Sequence, residues 1–226
     1  MRLIIGNKNY SSWSLRAWLV LQHSGLPFEE VKLSLADIGT ESSKFKREIL
    51  RVNPAGRVPV LVDGEIVVWD TLAIAEYVAE SSPTPLWPKS RAERARARSL
   101  CAEMHSGFTT IRSRFTMNIE LDGPHVGPKV LAEDVEARAE LVRLDELIAG
   151  ALARSGGPML FGAFSIADAF YAPIATRMRT YGLPISKPTA DYVERIYQWP
   201  AMRAWVEEAR REHEFVAREE LYRERR

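Results

Sequence analysis

Residues 58–69 read Val-Pro-Val-Leu-Val-Asp-Gly-Glu-Ile-Val-Val-Trp, and this stretch carries the clearest structural signal in the chain. Two apolar runs flank the pair Asp63-Gly64. An Asp-Gly pair between apolar runs predicts a two-residue β-hairpin, because the turn needs positive φ angles, which glycine tolerates best. We therefore predict strands at residues 58–62 and 65–69, joined by a turn at Asp63-Gly64.

The segments on either side of this hairpin extend it into an α/β unit. Residues 3–5 form an apolar run, and apolar residues then recur at helical spacing over 15–22 until Gly25 stops the helix. Residues 28–35 alternate imperfectly, as a half-buried strand does. Helical spacing resumes over 71–79, after the hairpin. The predicted order is β-α-β, then a connection without predicted structure, then β-β-α.

Three prolines in residues 81–88 mark the end of this unit, because proline lacks the N–H that a continuing helix needs. Strand signals nearly vanish beyond them. We predict helices at residues 91–119, 129–153, 165–178, 190–197 and 200–212. The sequence thus predicts an α/β domain of residues 1–80, a linker of 81–88 and an all-α helical domain of 89–226.

The composition is that of an ordinary soluble globular protein, with 46% hydrophobic and 27% charged residues and a net charge of +1. This balance gives no field that would favour nucleic acid or an acidic membrane. Cys101 is the single cysteine, so an intrachain disulfide and a cysteine-pair metal site are excluded, and we expect no metal. We find no signal peptide and no run of about 18 apolar residues, and we expect a cytoplasmic protein.

Pro59 lies inside a predicted strand, where proline removes a ladder hydrogen bond and belongs at an edge, a first residue or a bend. Two interpretations are open: an ordinary trans proline that opens the strand, or a cis Val58–Pro59 bond, which costs only about 0.5–1 kcal/mol more. A cis bond would turn the N–H and C=O of Val58 outward, as an edge for an extended peptide. Together with the hairpin, the pattern resembles the cis-proline signature of thioredoxin-like folds.

Serines occupy the first turn of the first predicted helix, in the stretch Tyr10-Ser11-Ser12-Trp13-Ser14. A serine at a helix start most often caps the helix, and we expect that role for Ser12 or Ser14. A hydroxyl at this place can also donate a hydrogen bond to a sulfur held at the same helix end. Thioredoxin-like domains carry a redox cysteine on this turn, and its absence here excludes dithiol chemistry.

Together these segments resemble the glutathione-binding domain of the cytosolic glutathione transferases, in particular their serine-type zeta, theta and tau classes. Residues 11–16, Ser-Ser-Trp-Ser-Leu-Arg, are similar to the Ser-Ser-Cys-Ser-Trp-Arg stretch of the zeta class. The resemblance implies that Ser11 is the catalytic partner of the glutathione thiol, with Tyr10 as the alternative hydroxyl. It also implies a glutathione contact from Trp13, which stands where the zeta pattern has cysteine.

The resemblance extends to the pair Asp70-Thr71 and the Leu-Ala-Ile run that follows it. Such a pair ordinarily caps a helix, and the same backbone N–H groups also form an anion site. By the resemblance, Thr71 binds the γ-glutamyl carboxylate of glutathione, Asp70 binds its ammonium, and Val58-Pro59 holds its extended backbone. The glycyl carboxylate needs a cation, which we expect among Lys44, Lys46 and Arg57.

The helical half adds a motif and several open interpretations. Ser165 and Asp168 have capping-box spacing, and they resemble the structural Ser-x-Ala-Asp motif in the sixth helix of the transferases. The four histidines show no metal-binding spacing, and we interpret them as structural. The arginine- and glutamate-rich tail, residues 218–226, either covers the site or frays. One set of side chains lines a hydrophobic second-substrate pocket or, as is commoner, belongs to the core: Phe108, Arg112, Phe115, Tyr171 and Met178.

The family resemblance implies a homodimer, with glutathione as cosubstrate and no metal. The thiolate held by Ser11 would attack a small hydrophobic electrophile. Three functions are open at this point. The chain is a conjugating transferase, or it uses the same thiolate as a glutathione-dependent isomerase, dehalogenase or peroxidase, or it is a non-catalytic binding or regulatory protein.

Overall fold

The computed structural model of the chain describes residues 1–40 and 42–223. Among these residues, none of the helices combines the length and the hydropathy needed to cross a bilayer. In chain order the elements are β1 (Arg2–Ile5), α1 (Ser12–Ser24), β2 (Glu29–Lys32), α2 (Lys44–Ile49), β3 (Val60–Asp63), β4 (Ile66–Trp69), α3 (Thr71–Ser81), α4 (Arg91–Ser106), α5 (Thr109–Arg114), α6 (Val126–Glu133), α7 (Val135–Ser155), α8 (Ile166–Thr180), α9 (Lys187–Gln198) and α10 (Pro200–Arg211).

A four-stranded sheet with the strand order β2-β1-β3-β4 supports the α/β half. Strand β1 runs parallel to β2 and antiparallel to β3. Strands β3 and β4 form the predicted hairpin, but Asp63 pairs with Ile66, so the turn is Gly64-Glu65 and the predicted turn at Asp63-Gly64 is wrong by one residue. Of the two turn residues only Gly64 has a positive φ, +59°, which is what a type II′ turn requires of its first position.

Helix α1 connects the sheet to the helical half. It packs against α3, α8 and α10, and most of its side chains are buried, including Leu15 and Leu19. Gly25 ends the helix in the left-handed conformation, with φ at +73°, which confirms the predicted stop. Because α1 is covered on most sides, the position of its first turn is determined by the core of both halves.

The connection between β2 and β3 contains the short helix α2, which the sequence analysis did not predict. The backbone N–H groups at its start are held by two side chains. Ser43 accepts a hydrogen bond from Lys46 at 3.1 Å, and Asp37 accepts one from Lys44 at 2.5 Å. A helix of six residues is marginal in isolation, so these caps and the surrounding packing decide it, and hydrophobic periodicity gives little signal.

The predicted helix at 91–119 is in fact two helices, α4 and α5, because the chain turns at Gly107 and Phe108. Phe108 has a left-handed backbone, with φ at +57°, and its side chain is buried. A Cβ atom at position 107 would lie 2.9 Å from the carbonyl oxygen of Glu103, which is closer than real side chains approach, so this turn requires glycine.

The later helices follow the prediction more closely. The predicted helix at 129–153 is broken into α6 and α7 at Asp134, whose carboxylate caps α7 by accepting a hydrogen bond from Ala137 at 2.9 Å. The capping box of Ser165 and Asp168 is present at the start of α8. Burial raises the pKa of Asp168 to about 6, so this carboxyl is still ionised at neutral pH. The exact domain boundaries, at 81–88, stay a prediction.

Lys8 joins the two halves of the molecule. Its side chain is 2% exposed, and its Nζ atom lies 5.0 Å from the ring of Trp18 on α1 and 5.1 Å from the ring of Trp205 on α10. The same Nζ pairs with Glu30 of β2 at 2.8 Å and with Glu208 of α10. One buried cation is therefore satisfied by an aromatic ring and a carboxylate from each half.

The C-terminal segment, residues 212–223, packs back against the α/β half after α10. Tyr10 donates a hydrogen bond from its hydroxyl to Glu220 Oε1 at 2.5 Å. Glu220 is buried, and it also accepts hydrogen bonds from Asn118 Nδ2 at 2.7 Å and Arg223 Nε at 2.6 Å. Burial and the adjacent Glu220 carboxylate raise the pKa of Tyr10 to about 12. The hydroxyl of Tyr10 is thus occupied by hydrogen bonds to the C-terminal segment.

The predicted tail at 218–226 belongs to this segment as far as residue 223, and its last three residues lie outside the described part of the chain. Arg218 and Glu219 line a cavity beside the first turn of α1. This position favours the interpretation that the tail covers the site, which stays a prediction.

We predict that Tyr10→Phe loosens the C-terminal segment, because the buried Glu220 carboxylate loses one of its donors. The free energy of unfolding should fall by about 1–3 kcal/mol, as measured by chemical denaturation. Tryptic cleavage after Arg218 should become faster. Tyr77→Phe is the matched control, since the Tyr77 hydroxyl donates to Asp63 at 3.0 Å far from this segment. If Tyr10→Phe changed neither stability nor cleavage, the anchoring role would be wrong.

Candidate active site

Two cavities lie where the α/β half meets the helical half, and they share Trp13, Arg57 and Val58 as lining residues. The first cavity, of about 630 Å³, extends from the first turn of α1 toward α5, α8 and the C-terminal segment. The second cavity, of about 510 Å³, extends toward the start of α3 and the end of α4. A ligand that spans both cavities would therefore pass along Val58.

Ser11 lies at the start of α1 and lines the first cavity. It is the N-cap of the helix, and its Oγ accepts a hydrogen bond from the backbone N–H of Ser14 at 3.3 Å. The expectation that Ser12 or Ser14 caps the helix is therefore wrong. Ser12 is instead the first residue of the helix, and it lines the same cavity.

A hydrogen-bond chain leads from the backbone of β1 to Ser11. Ser14 Oγ accepts from the backbone N–H of Gly6 at 3.0 Å, and it lies 2.6 Å from Ser11 Oγ. Either hydroxyl can donate across this second contact. When Ser14 donates, Ser11 Oγ accepts two hydrogen bonds and its own proton can point into the first cavity.

Val58 and Pro59 lie directly before β3, whose pairing with β1 begins at Val60. The Val58–Pro59 peptide bond is cis, which confirms that alternative. Val58 lines both cavities, and Pro59 lines the second. The preceding turn is held by Asn53, whose side-chain amide donates to the carbonyl oxygen of Arg57 at 2.8 Å.

Asp70 and Thr71 line the second cavity at the start of α3. Asp70 has a φ of +76°, and its carboxylate caps the helix by accepting a hydrogen bond from Leu72 at 2.8 Å. Thr71 is 1% exposed, and its buried Oγ1 has no hydrogen-bond partner within the described residues. Since buried hydroxyls are normally satisfied, this atom marks a place where a ligand can bind.

His105 also lines the second cavity, and the sequence analysis missed it. Its Nε2 atom lies 3.2 Å from Asp70 Oδ2, and its ring packs edge-on against Trp13 with the centroids 5.0 Å apart. Burial lowers the pKa of His105, helped by the positive charge of Arg16 and Arg112, while Asp70 opposes that shift. No local pattern marks this histidine, because only the packing of α4 brings it to Asp70.

Trp13 lies at the junction of the two cavities, and guanidinium groups lie near its ring. The Cζ atom of Arg16 lies 4.5 Å from the ring centroid, and that of Arg112 lies 5.0 Å away. Arg16 is buried, and its Nε and Nη1 atoms have no hydrogen-bond partner within the described part of the chain. Burial, with Arg112 and Arg177 nearby, lowers the pKa of Arg16 to about 9.

The helical wall of the first cavity is polar and cationic. Arg112 and Arg177 line it, and Arg177 is 6% exposed. Both guanidiniums donate hydrogen bonds to backbone carbonyls: Arg177 Nε donates to Phe115 at 2.6 Å, and Arg112 Nη1 donates to Gly107 at 3.1 Å. Of the side chains considered for a hydrophobic pocket, Arg112 lines the cavity, whereas the others belong to the core: Phe108, Phe115, Tyr171 and Met178.

Of the three lysine and arginine candidates for a carboxylate site, the structure brings Arg57 to both cavities. Lys44 does not line either cavity. Its side chain is 73% exposed and lies 3.7 Å from Glu48 on the same helix. Lys46 is also exposed on α2 and lines neither cavity.

Cys101 is a core residue and not part of the site. Burial raises the pKa of its thiol far above the ordinary value. Within residues 1–40 and 42–223, no group of three or more histidine, cysteine, aspartate or glutamate side chains is placed to hold a metal ion.

Known relatives share parts of this chain. It is 40% identical over 79 residues to a zeta-class glutathione S-transferase of Euphorbia esula. This match covers 34% of this chain and 33% of the relative. It is 33% identical over 104 residues to a probable maleylacetoacetate isomerase of Caenorhabditis elegans, which covers 45% of each. The matched stretches thus span a third and just under half of these relatives.

Family models and solved structures extend the similarity over most of the chain. A glutathione S-transferase from a sphingomonad, solved in complex with glutathione, aligns with a TM-score of 0.66 and 26% identity, over 92% of this chain and 98% of that one. The model of the glutathione S-transferase N-terminal domain matches residues 10–81, and the model of the C-terminal domain matches residues 92–208. The chain therefore belongs to the glutathione S-transferase family.

Proposed function

We propose that this chain is a glutathione transferase in which the Ser11 hydroxyl stabilises the thiolate of bound glutathione. The observation that carries this proposal is the hydrogen-bond chain from Gly6 through Ser14 to Ser11. When Ser14 donates across it, the Ser11 proton is free to donate into the first cavity. A solved relative binds glutathione, and the match to it covers nearly the whole chain.

The energies are sufficient for thiol activation. A free thiol has a pKa of about 8.5, and lowering it by about two units requires roughly 2.7 kcal/mol of preference for the anion. A hydrogen bond to a charged group contributes about 1.5–3 kcal/mol. The N-terminus of a helix adds about 0.3–1 kcal/mol. A hydrogen bond from the Ser11 hydroxyl at the start of α1 would therefore be sufficient for a shift of this size.

The two cavities suit the two ends of glutathione. The γ-glutamyl carboxylate fits the second cavity, where Thr71 Oγ1 lacks a partner among residues 1–40 and 42–223 and the first N–H groups of α3 attract an anion. Asp70, at the rim of that cavity, is placed to receive the ammonium. The backbone of the peptide would follow Val58, and Arg57 would meet the glycyl carboxylate.

In the proposed reaction, the thiolate attacks an electrophilic carbon in the first cavity. A sulfur–carbon bond forms, and either a leaving group departs with the electron pair or, in an addition, a proton is taken up at the neighbouring carbon. Glutathione is consumed as a cosubstrate. Ser11 donates its hydrogen bond most strongly to the anion, so it favours the thiolate over the thiol.

We predict that Ser11→Ala raises the pKa of bound glutathione by about 1–2 units, because the thiolate loses its charged hydrogen bond. Glutathione affinity should stay within a few-fold of wild type. The measurement is a pH titration of the ultraviolet thiolate absorbance of the complex. Ser12→Ala is the matched control, since Ser12 lines the same cavity outside the Ser11–Ser14 chain, and its titration should match wild type.

A wild-type complex with an unshifted thiol would contradict this mechanism. Binding without thiol activation would favour a non-catalytic binding or regulatory function. A shift that persists in Ser11→Ala would instead move the donor role to another group at the start of α1.

We predict that Thr71→Val weakens glutathione binding about tenfold, because a methyl group replaces the hydroxyl that would meet the γ-glutamyl carboxylate. Isothermal titration calorimetry measures the change. Thr110→Val is the matched control, since Thr110 lies on α5 and lines neither cavity, and its affinity should match wild type. Unchanged affinity in Thr71→Val would remove Thr71 from the binding site.

A second candidate function, glutathione-dependent isomerisation of an unsaturated acid, is favoured by the cationic wall of the first cavity. Arg112 and Arg177 present buried or half-buried positive charge there. Buried charge is costly unless it is paired, so an anionic acceptor suits this wall better than a neutral one. The thiolate would add to the double bond and leave after rotation, so that glutathione is regenerated.

We predict that Arg112→Met lowers kcat/KM at least tenfold for an α,β-unsaturated carboxylate acceptor and leaves its methyl ester within threefold. The charge of Arg112 would stabilise only the acid. Steady-state kinetics with the acid and the ester measure the difference. Arg114→Met is the matched control, because Arg114 is exposed on the same helix and pairs with Asp134 away from the cavity. Equal losses for acid and ester would indicate a structural role for Arg112.

The homodimer and the cytoplasmic location stay predictions. Ile66 and Trp69 are large apolar side chains about half exposed on β4, an edge strand of the sheet, and they support an interface there.

A further inference from the structure

The turn that precedes Ser11 is held by hydrogen bonds to the helical half. Glu212, the first residue after α10, accepts hydrogen bonds from the backbone N–H of Lys8 at 2.7 Å and from that of Asn9 at 3.1 Å, one at each carboxylate oxygen. Trp205 Nε1, on α10, donates to the carbonyl oxygen of Lys8 at 2.9 Å. Both polar groups of the Lys8 backbone are therefore bonded to α10 or to the residue that follows it.

The Glu212 carboxylate is buried at a place where a helix by itself disfavours an anion. Its side chain is 5% exposed. The C-terminus of a helix carries partial negative charge, which attracts cations and repels carboxylates. The charge of Glu212 is balanced instead by Lys32 of β2, whose Nζ lies 3.3 Å from Oε1, and by the two backbone N–H groups. Hydrogen bonds to an ionised acceptor are roughly twice as strong as neutral ones, so these two bonds are well suited to fix the turn.

The same turn ends at Ser11. The carbonyl oxygen of Asn7 accepts hydrogen bonds from the backbone N–H of Tyr10 at 3.2 Å and from that of Ser11 at 2.8 Å. Glu212 bonds to the two residues between Asn7 and Tyr10, so the loss of its contacts would loosen the turn that leads into α1. Hydrogen bonds weaken steeply when their angle is poor, so a displaced Ser11 hydroxyl would donate less well to a thiolate.

We infer that Glu212 is a positioning residue for thiol activation: its carboxylate bridges the N–H groups of Lys8 and Asn9 and thereby places the Ser11 hydroxyl. This inference rests on the proposed function, because Ser11 is the hydroxyl that would donate to the thiolate. Glu212 lines neither cavity, so it acts on the thiolate through the turn and not by contact.

The first test is the titration of glutathione bound to Glu212→Gln, followed by ultraviolet thiolate absorbance. Glutamine has one carbonyl oxygen, so it can accept from only one of the two N–H groups in the native geometry. We expect the pKa of the bound thiol to rise by about 0.5–1 unit, which is about a three- to tenfold loss of preference for the thiolate. The affinity for S-methylglutathione, which has no thiol, should stay within threefold of wild type in calorimetry.

A double-mutant cycle with Ser11→Ala separates positioning from a merely structural role. If Glu212 acts through the Ser11 hydroxyl, Glu212→Gln should change the thiol pKa by less than about 0.2 unit once that hydroxyl is absent. Thermal denaturation checks that each variant is folded. Glu212→Asp provides a second measurement if Glu212→Gln does not fold. It keeps the charge but is one methylene shorter, and the thiol pKa should rise in the same direction.

Lys32→Met and Glu207→Gln are the matched controls. Lys32→Met removes the ion pair with Glu212 but leaves both acceptor oxygens, and Glu207 is exposed on α10, where it pairs with Arg211. The complexes of both variants should titrate as wild type.

Three results would overturn the inference while leaving the proposed function intact. They are a wild-type titration of the Glu212→Gln complex, an equal rise in the Ser11→Ala background, and an equal rise in Lys32→Met, which would assign the effect to charge alone. A wild-type complex with an unshifted thiol would overturn the proposed function itself.

Discussion

The burial of α1 is the constraint on which the rest of the site depends. This helix packs against α3 of the α/β half and against α8 and α10 of the helical half, so it belongs to the core of both halves. Leu15 and Leu19 are fully buried, and close packing leaves their positions little freedom. The first turn therefore presents Ser11 to the first cavity and Trp13 to the junction of the two cavities.

The same constraint explains why charge enters the core. Arg16 lies one turn into α1, where the helical half already covers it, and its guanidinium rests on the rings of Trp13 and Phe170. Aromatic faces attract cations, but they satisfy no N–H donor. With Arg112 on the same Trp13 ring, the junction carries positive charge that the protein itself only partly balances. An anionic ligand is the natural complement of such a junction.

Much of the fold could be predicted from local sequence signals. The hairpin, the stop of α1 at Gly25 and the cap of α3 depend on neighbouring residues, and they followed from the sequence with an error of one residue at the hairpin turn. The break between α4 and α5 could not be predicted in this way. Gly107 is required by its close approach to the carbonyl oxygen of Glu103, and the helical pattern of the sequence continues across it. Helix α2 is held by Asp37 from outside its own span.

The site residues also differ in whether local sequence signals predict them. Ser11, Val58, Asp70 and Thr71 are brought together because each stands at the end of a recognisable element. His105 could not be found in this way, since nothing near it in the chain refers to Asp70. Lys44 is near these residues in sequence, but its side chain is exposed on α2 and lines neither cavity.

The contacts of Lys8 with both halves limit which parts of this chain can be replaced. Its parts come from both ends of the chain: Lys8, Trp18 and Glu30 from the first half, and Trp205 and Glu208 from α10. A helical half exchanged with that of another family member would strand a buried ammonium unless it brought its own ring and carboxylate. In this chain, substitutions within the cavities leave these contacts intact, whereas replacement of the helical half removes them.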